Sequence, residues 1–103
     1  MTPADLKQID PNDPVSAATL NAEVTKATGQ YGRNFNPAFS LDDARLVTDR
    51  VREIIGECAN QMMCLEIEQF GTHASHVWLT ETPAEITLAA LLALAKWREE
   101  NAE

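Results

Sequence analysis

Met63-Cys64-Leu65-Glu66-Ile67-Glu68-Gln69-Phe70 and His76-Val77-Trp78-Leu79-Thr80-Glu81, joined by Gly71-Thr72-His73-Ala74-Ser75, form the stretch on which the fold reading turns. Met63, Leu65 and Ile67 alternate with Cys64, Glu66 and Glu68, and beyond the connection Val77 and Leu79 alternate with His76, Trp78 and Thr80. Two runs of period two around a short glycine-containing link predict a β-hairpin over residues 63–81. The face with Met63, Leu65, Ile67, Val77 and Leu79 is expected to lie on the core. The opposite face mixes Phe70 and Trp78 with Glu66, Glu68 and His76, so it is expected to be only partly covered, or covered by a partner.

Directly after this stretch, Thr82-Pro83-Ala84-Glu85 combines a helix cap, a proline at the first helical position and a capping-box glutamate. A helix is predicted from there to about Asn101. Ile86, Leu88, Ala89, Ala90, Leu91, Leu92, Ala93, Leu94 and Trp97 go nearly all round it. A helix of that pattern is buried on more than one side, as the centre of the domain or as a homo-oligomer contact through residues 83–101.

Working back along the chain, Ser40-Leu41-Asp42-Asp43 is a serine cap with acid in the first turn. Ala44, Val47, Val51, Ile54, Ile55 and Cys58 trace one face of a helix through about Asn60. Asp13-Pro14 opens another helix, with Ala17, Leu20, Val24 and Ala27 as a narrow apolar stripe and Gly29 as its stop. Between these helices, Gln30 to Phe39 is irregular and suits either an edge strand near 31–35 or a loop. Residues 1–13 carry Pro3, Pro11, Asp5, Asp10 and Asp13 and read as a flexible proline-rich arm, within which Thr2-Pro3-Ala4-Asp5 can cap one turn carrying Leu6 and Ile9. The expected architecture is α+β: a small antiparallel β-sheet packed with three α-helices in a layered sandwich, over a single domain at 14–103.

The chain has 103 residues, 45% of them hydrophobic, which suits one small core. Sixteen acidic against eight basic residues give a formal charge of -8. That field opposes direct nucleic-acid binding. It suits solubility alone first, and beside that a basic partner protein, including one whose own ligand is a nucleic acid. No apolar run approaches the roughly 20 residues of a membrane span, and the polar N-terminus has no signal-peptide pattern. A cytoplasmic protein with reduced Cys58 and Cys64 is expected.

Catalytic chemistry finds little support. Cys58, Cys64, His73 and His76 are zinc-ligand types, but in a 63–81 hairpin Cys64 and His73 are separated by roughly 20 Å, so no metal is expected. Glu66 and Glu68 share one face in the way a solvated strand surface does. No phosphate-binding glycine loop and no cofactor motif is present, and no catalytic residues are assigned. Recognition fits better. Tyr31, Arg33, Asn34 and Phe35 combine stacking, a charged fork and amide hydrogen bonds, suited to a small anionic ligand or a protein hot spot. With Phe70, His76 and Trp78 on the outer hairpin face they form the candidate binding set, while the structural alternative makes Phe35 and Phe39 loop anchors.

Two segments, Asn36-Pro37-Ala38-Phe39-Ser40-Leu41-Asp42-Asp43-Ala44 and Trp78-Leu79-Thr80-Glu81-Thr82-Pro83-Ala84-Glu85-Ile86-Thr87-Leu88-Ala89-Ala90-Leu91, resemble the phage ABA-sandwich family of small bacteriophage proteins. In that family a Pro-x-aromatic-Ser segment opens one helix, and a tryptophan-bearing strand runs through a Thr-Pro/Ala junction into a final Ala/Leu helix. The resemblance spans about residues 35–97 and implies a phage or prophage origin and a layered α+β fold, with no reaction or site attached. By analogy with small accessory phage proteins, the expected function is non-enzymatic binding of a host protein that modulates defence or metabolism. The alternative is sequestration of a small molecule or nucleotide signal, and a third is an acidic nucleic-acid mimic.

Overall fold

A computed structural model describes residues 2–29, 35–67 and 82–101. Among these the secondary structure is helical throughout: α1 Pro3–Leu6, α2 Pro14–Thr28, α3 Leu41–Ile55, α4 Ala59–Ile67 and α5 Pro83–Glu100. Helix α5 is the hub, packing against each of the other four.

Local chemistry explains where the helices start and stop. At α5 the Glu85 amide donates to Thr82 Oγ1 at 3.2 Å and the Thr82 amide donates back to Glu85 Oε1 at 3.4 Å. The reciprocal pair satisfies two amides that the first turn would otherwise leave without partners. Helix α1 has the same box on a smaller scale, between Thr2 and Asp5. Asp13 caps α2 and Gly29, at φ 77°, ends it in the left-handed region that a residue with a side chain rarely enters. At α3 the Ser40 hydroxyl accepts from the Asp43 amide, but the Asp43 carboxylate turns away from the cap and accepts from the Asn36 amide at 2.8 Å. The acid that looks like half of a capping box holds the preceding loop instead.

Apolar burial then sets the packing. Leu20 and Val24 of α2, Val47 and Val51 of α3, and Ala59 and Met63 of α4 surround Leu88, Leu92 and Leu94 of α5. From Ile86 to Leu94 every residue of α5 is buried. The all-round apolar pattern is therefore accounted for by this chain's own helices. The N-terminal segment takes part as well, since Leu6 and Ile9 are both buried in the same core.

The α+β sandwich is overturned. Residues 63–67, assigned to the first strand of the 63–81 hairpin, belong to α4, and no strand occurs among the described residues. Residues 68–81 lie outside the described residues, as do 31–34 of the edge strand considered near 31–35; Phe35 is described and is not in a strand. The physical reason is visible in the burial pattern. Ala59, Met63 and Glu66 are buried, at helical intervals of four and three, while Leu65 is 55% exposed. A strand would have set Leu65 beside Met63 on the inner face. Ala, Gln, Met, Leu and Glu are also good helix formers, and their propensity agrees with the 3.6 period. The helix expected through Asn60 ends earlier, at Ile55, because Gly56 adopts φ 96° and breaks the chain direction before α4 begins.

Candidate functional site

The candidate site is a cleft of about 410 Å³ between α1, α2 and the C-terminal half of α5. Each helix supplies one face at helical spacing. Helix α2 presents Glu23, Lys26 and Ala27, α5 presents Leu91, Leu94, Ala95, Arg98 and Glu99, and the N-terminal turn adds Thr2, Pro3 and Leu6. Leu6, Ala27, Leu91, Leu94 and Ala95 make an apolar floor. Charged residues of both signs surround it. Ala27 and Ala95 line the space with single methyl groups, so the helices approach without filling it. The volume lies in the range of roughly 300–1,000 Å³ usual for ligand sites.

The rim charges are held unequally. Lys26 Nζ lies 3.4 Å from Glu23 Oε1, yet the Lys26 side chain is 73% exposed and that of Glu23 only 11%. A screened ammonium is easily displaced, whereas the carboxylate stays on the wall. Arg98 and Glu99 are exposed.

A second polar cluster lies at the other end of α5 and is structural. The Thr87 hydroxyl donates to the Pro37 carbonyl at 2.9 Å, a buried bond across 50 positions of sequence. The Asn21 side chain donates to Asn36 Oδ1 at 2.7 Å and accepts from the Ala38 amide at 3.0 Å. The bonds to the Pro37 carbonyl and the Ala38 amide satisfy the backbone at the buried part of a loop that no regular element would otherwise pair, and the Asn21–Asn36 bond holds the two side chains beside it. The Arg50 guanidinium donates to the Thr28 carbonyl at 3.3 Å, tying the end of α2 to α3, and Arg52 reaches Asn60 at 2.6 Å, tying α3 to α4.

Of the sequence-derived binding set, Phe35 is half-buried and packs against the core as a loop anchor. Phe39, considered for the same anchoring role, is 51% exposed. Tyr31, Arg33, Asn34, Phe70, His76 and Trp78 lie outside the described residues. Glu66 is buried in α4 and accepts from the Lys96 ammonium, a bond between α4 and α5 in place of the solvated strand surface expected for it, and Glu68 lies outside the described residues. Cys58 is exposed, while Cys64 packs beside Ala44, Ile86 and Ala89. His73, like His76, lies outside the described residues. Among the described residues no helix is long and apolar enough to cross a membrane.

None of the cleft residues belongs to the set proposed from sequence. The signal that was available is the Thr2-x-x-Asp5 box with Leu6 after it, which makes the N-terminal turn a docking element. No family model matches the chain, and neither a curated protein nor a solved structure is significantly similar to it.

Proposed function

We propose that this chain is a non-enzymatic binding protein whose partner is a basic protein, met at the cleft between α1, α2 and α5. The observation that carries the reading is the cleft itself: an apolar floor with a nearly buried carboxylate, Glu23, on its wall, in a chain of net charge -8. An apolar centre inside a charged rim is the anatomy of a protein-binding hot spot. The negative field raises the encounter rate with a basic surface. A phage or prophage setting, with a host protein in the host cytoplasm as partner, is part of the same reading and rests on the resemblance of residues 36–44 and 78–91. The fold that this resemblance implies does not hold for residues 63–67, so the setting carries less of the argument than the cleft.

A second reading, sequestration of a small ligand, draws on the cleft's volume. Native mass spectrometry of the protein recovered from bacterial lysate separates the two. A complex with a basic protein is expected. A retained small molecule would establish the second reading in its place, and the bare chain at physiological salt would remove the first.

A further inference from the structure

The N-terminal arm is held to the molecule differently from the loop before α3. That loop is tied by side chains of α2, α3 and α5, through Asn21, Asp43 and Thr87. Every hydrogen bond of residues 2–12, by contrast, stays within residues 2–13: the Thr2–Asp5 box, the backbone bonds of α1 and the turn after it, and the Asp10 turn, where the Asn12 amide donates to Asp10 Oδ1 at 2.9 Å and the Asp13 amide to the Asp10 carbonyl at 3.1 Å. No ion pair joins residues 2–12 to the described helices. The arm is therefore held by Leu6 and Ile9, which are 3% and 8% exposed. Clefts lie beside both anchors, one of about 410 Å³ shared by Leu6 with Ala27, Leu91 and Leu94, the other of about 370 Å³ shared by Ile9 with Ser16 and Thr19. The arm thus runs back along α2, loosely packed on both sides. Pro11 and Pro14, which have no amide hydrogen to tie down, bracket the joint. Burial of two aliphatic side chains has to offset the ordering of the whole segment, so the closed state is held by a small margin.

We infer that residues 2–12 are a strap that lifts as a unit from a body of α2–α5 that stays folded, and that the α2/α5 groove beneath it is a docking surface for a helical turn with two apolar side chains three positions apart. The closed arm displays the chemistry of the occupant, because Leu6 and Ile9 already seat that pattern. At rest the chain fills the groove itself, and a partner protein's turn of the same pattern takes its place, an amphipathic helix in a groove. The tether keeps the arm at high local concentration, so the incoming turn has to bind more tightly than the arm does. The inference rests on the reading of the chain as a protein binder and adds to its cleft the groove that α1 covers.

The test compares the ¹⁵N-labelled full chain with the full-length double variant Leu6→Asp, Ile9→Asp by NMR. The variant is expected to unfold cooperatively as before, with amide shifts outside the arm confined to α2 and to Leu91, Leu94 and Ala95. A synthetic peptide of residues 2–12 added to it is expected to return the Ala27, Leu91 and Leu94 amides to their original positions. The same peptide should bind the unsubstituted chain at least tenfold more weakly, since the tethered arm competes, and a peptide carrying both aspartates should bind neither. An unfolded double variant would make the arm part of the core and overturn the strap. So would hydrogen exchange in the unsubstituted chain as slow at Leu6 and Ile9 as at Leu88 and Leu92. Absence of peptide shifts, or equal peptide binding by both chains, would overturn the groove. The function fails separately: peptide binding with no basic protein recovered from lysate upholds the strap and removes the partner. A recovered partner that binds the double variant no more tightly than the unsubstituted chain upholds the function and removes the strap's part in it.

Discussion

The two halves of α5 sit in different surroundings although the helix is apolar from Ile86 through Ala95 apart from Thr87. From Ala84 to Ala90 the helix packs against α3, α4 and the 36–40 loop, and a buried hydroxyl, Thr87, locks that loop in place. From Leu91 onward the same helix is flanked by the cleft, whose floor includes side chains from α1 and α2. Lys96, Arg98, Glu99 and Glu100 set the far end apart, but up to Ala95 composition does not distinguish the halves, since both are apolar and rich in alanine. Neighbours do. Where the opposing element is the 36–40 loop tied by Asn21, Asn36 and Asp43, Thr87 is fully buried against it; where it is a short turn and Ala27 of α2, a cleft is left.

If the halves differ in this way, substitutions of one chemical kind should have unequal costs along the helix. The largest effect is expected for Leu88→Ala in the enclosed half, a loss of about 3 kcal/mol in urea unfolding, because the cavity has little means of collapse. Ala90→Leu should lose about 2 kcal/mol by overpacking, read as a lower denaturation midpoint. Asn21→Ala removes the bonds to Asn36 and the Ala38 amide and is expected to cost roughly 1–2 kcal/mol, with faster amide exchange at Ala38 and Phe39. The smallest effect belongs to Ala95→Leu on the cleft floor, where the added carbons enter existing space and stability should stay within about 0.5 kcal/mol. Equal costs for the two alanine-to-leucine changes would erase the distinction between the halves.

The sequence was informative wherever a local rule decides the structure. Asp13-Pro14, Ser40 and Thr82-Pro83 mark helix starts because their side chains bond nearby amides, and Gly29 marks a stop because of its positive φ. The all-round apolar pattern of residues 86–94 correctly implied a buried helix, since few other surroundings tolerate it. Residues 63–67 misled because Met63, Leu65 and Ile67 satisfy period two by coincidence. Their true partners are Ala59 before them and Lys96 far ahead, and no short window contains both. The cleft was illegible for a related reason. Empty volume arises from the relative placement of Ala27 and Ala95, 68 positions apart in the sequence, and small residues read the same whether they permit close packing or leave a gap.

The central position of α5 also bears on the order in which the molecule can form. It is the last of the described helices to leave the ribosome, yet each of the others packs on it. Until residues 83–100 emerge, Leu20, Val24, Val47, Val51 and Met63 have no common surface to bury against. The nascent chain is then a set of weak amphipathic helices, each marginal without tertiary support. Productive folding therefore waits for α5, and the interval before its release is when these apolar faces are open to chaperones or to aggregation.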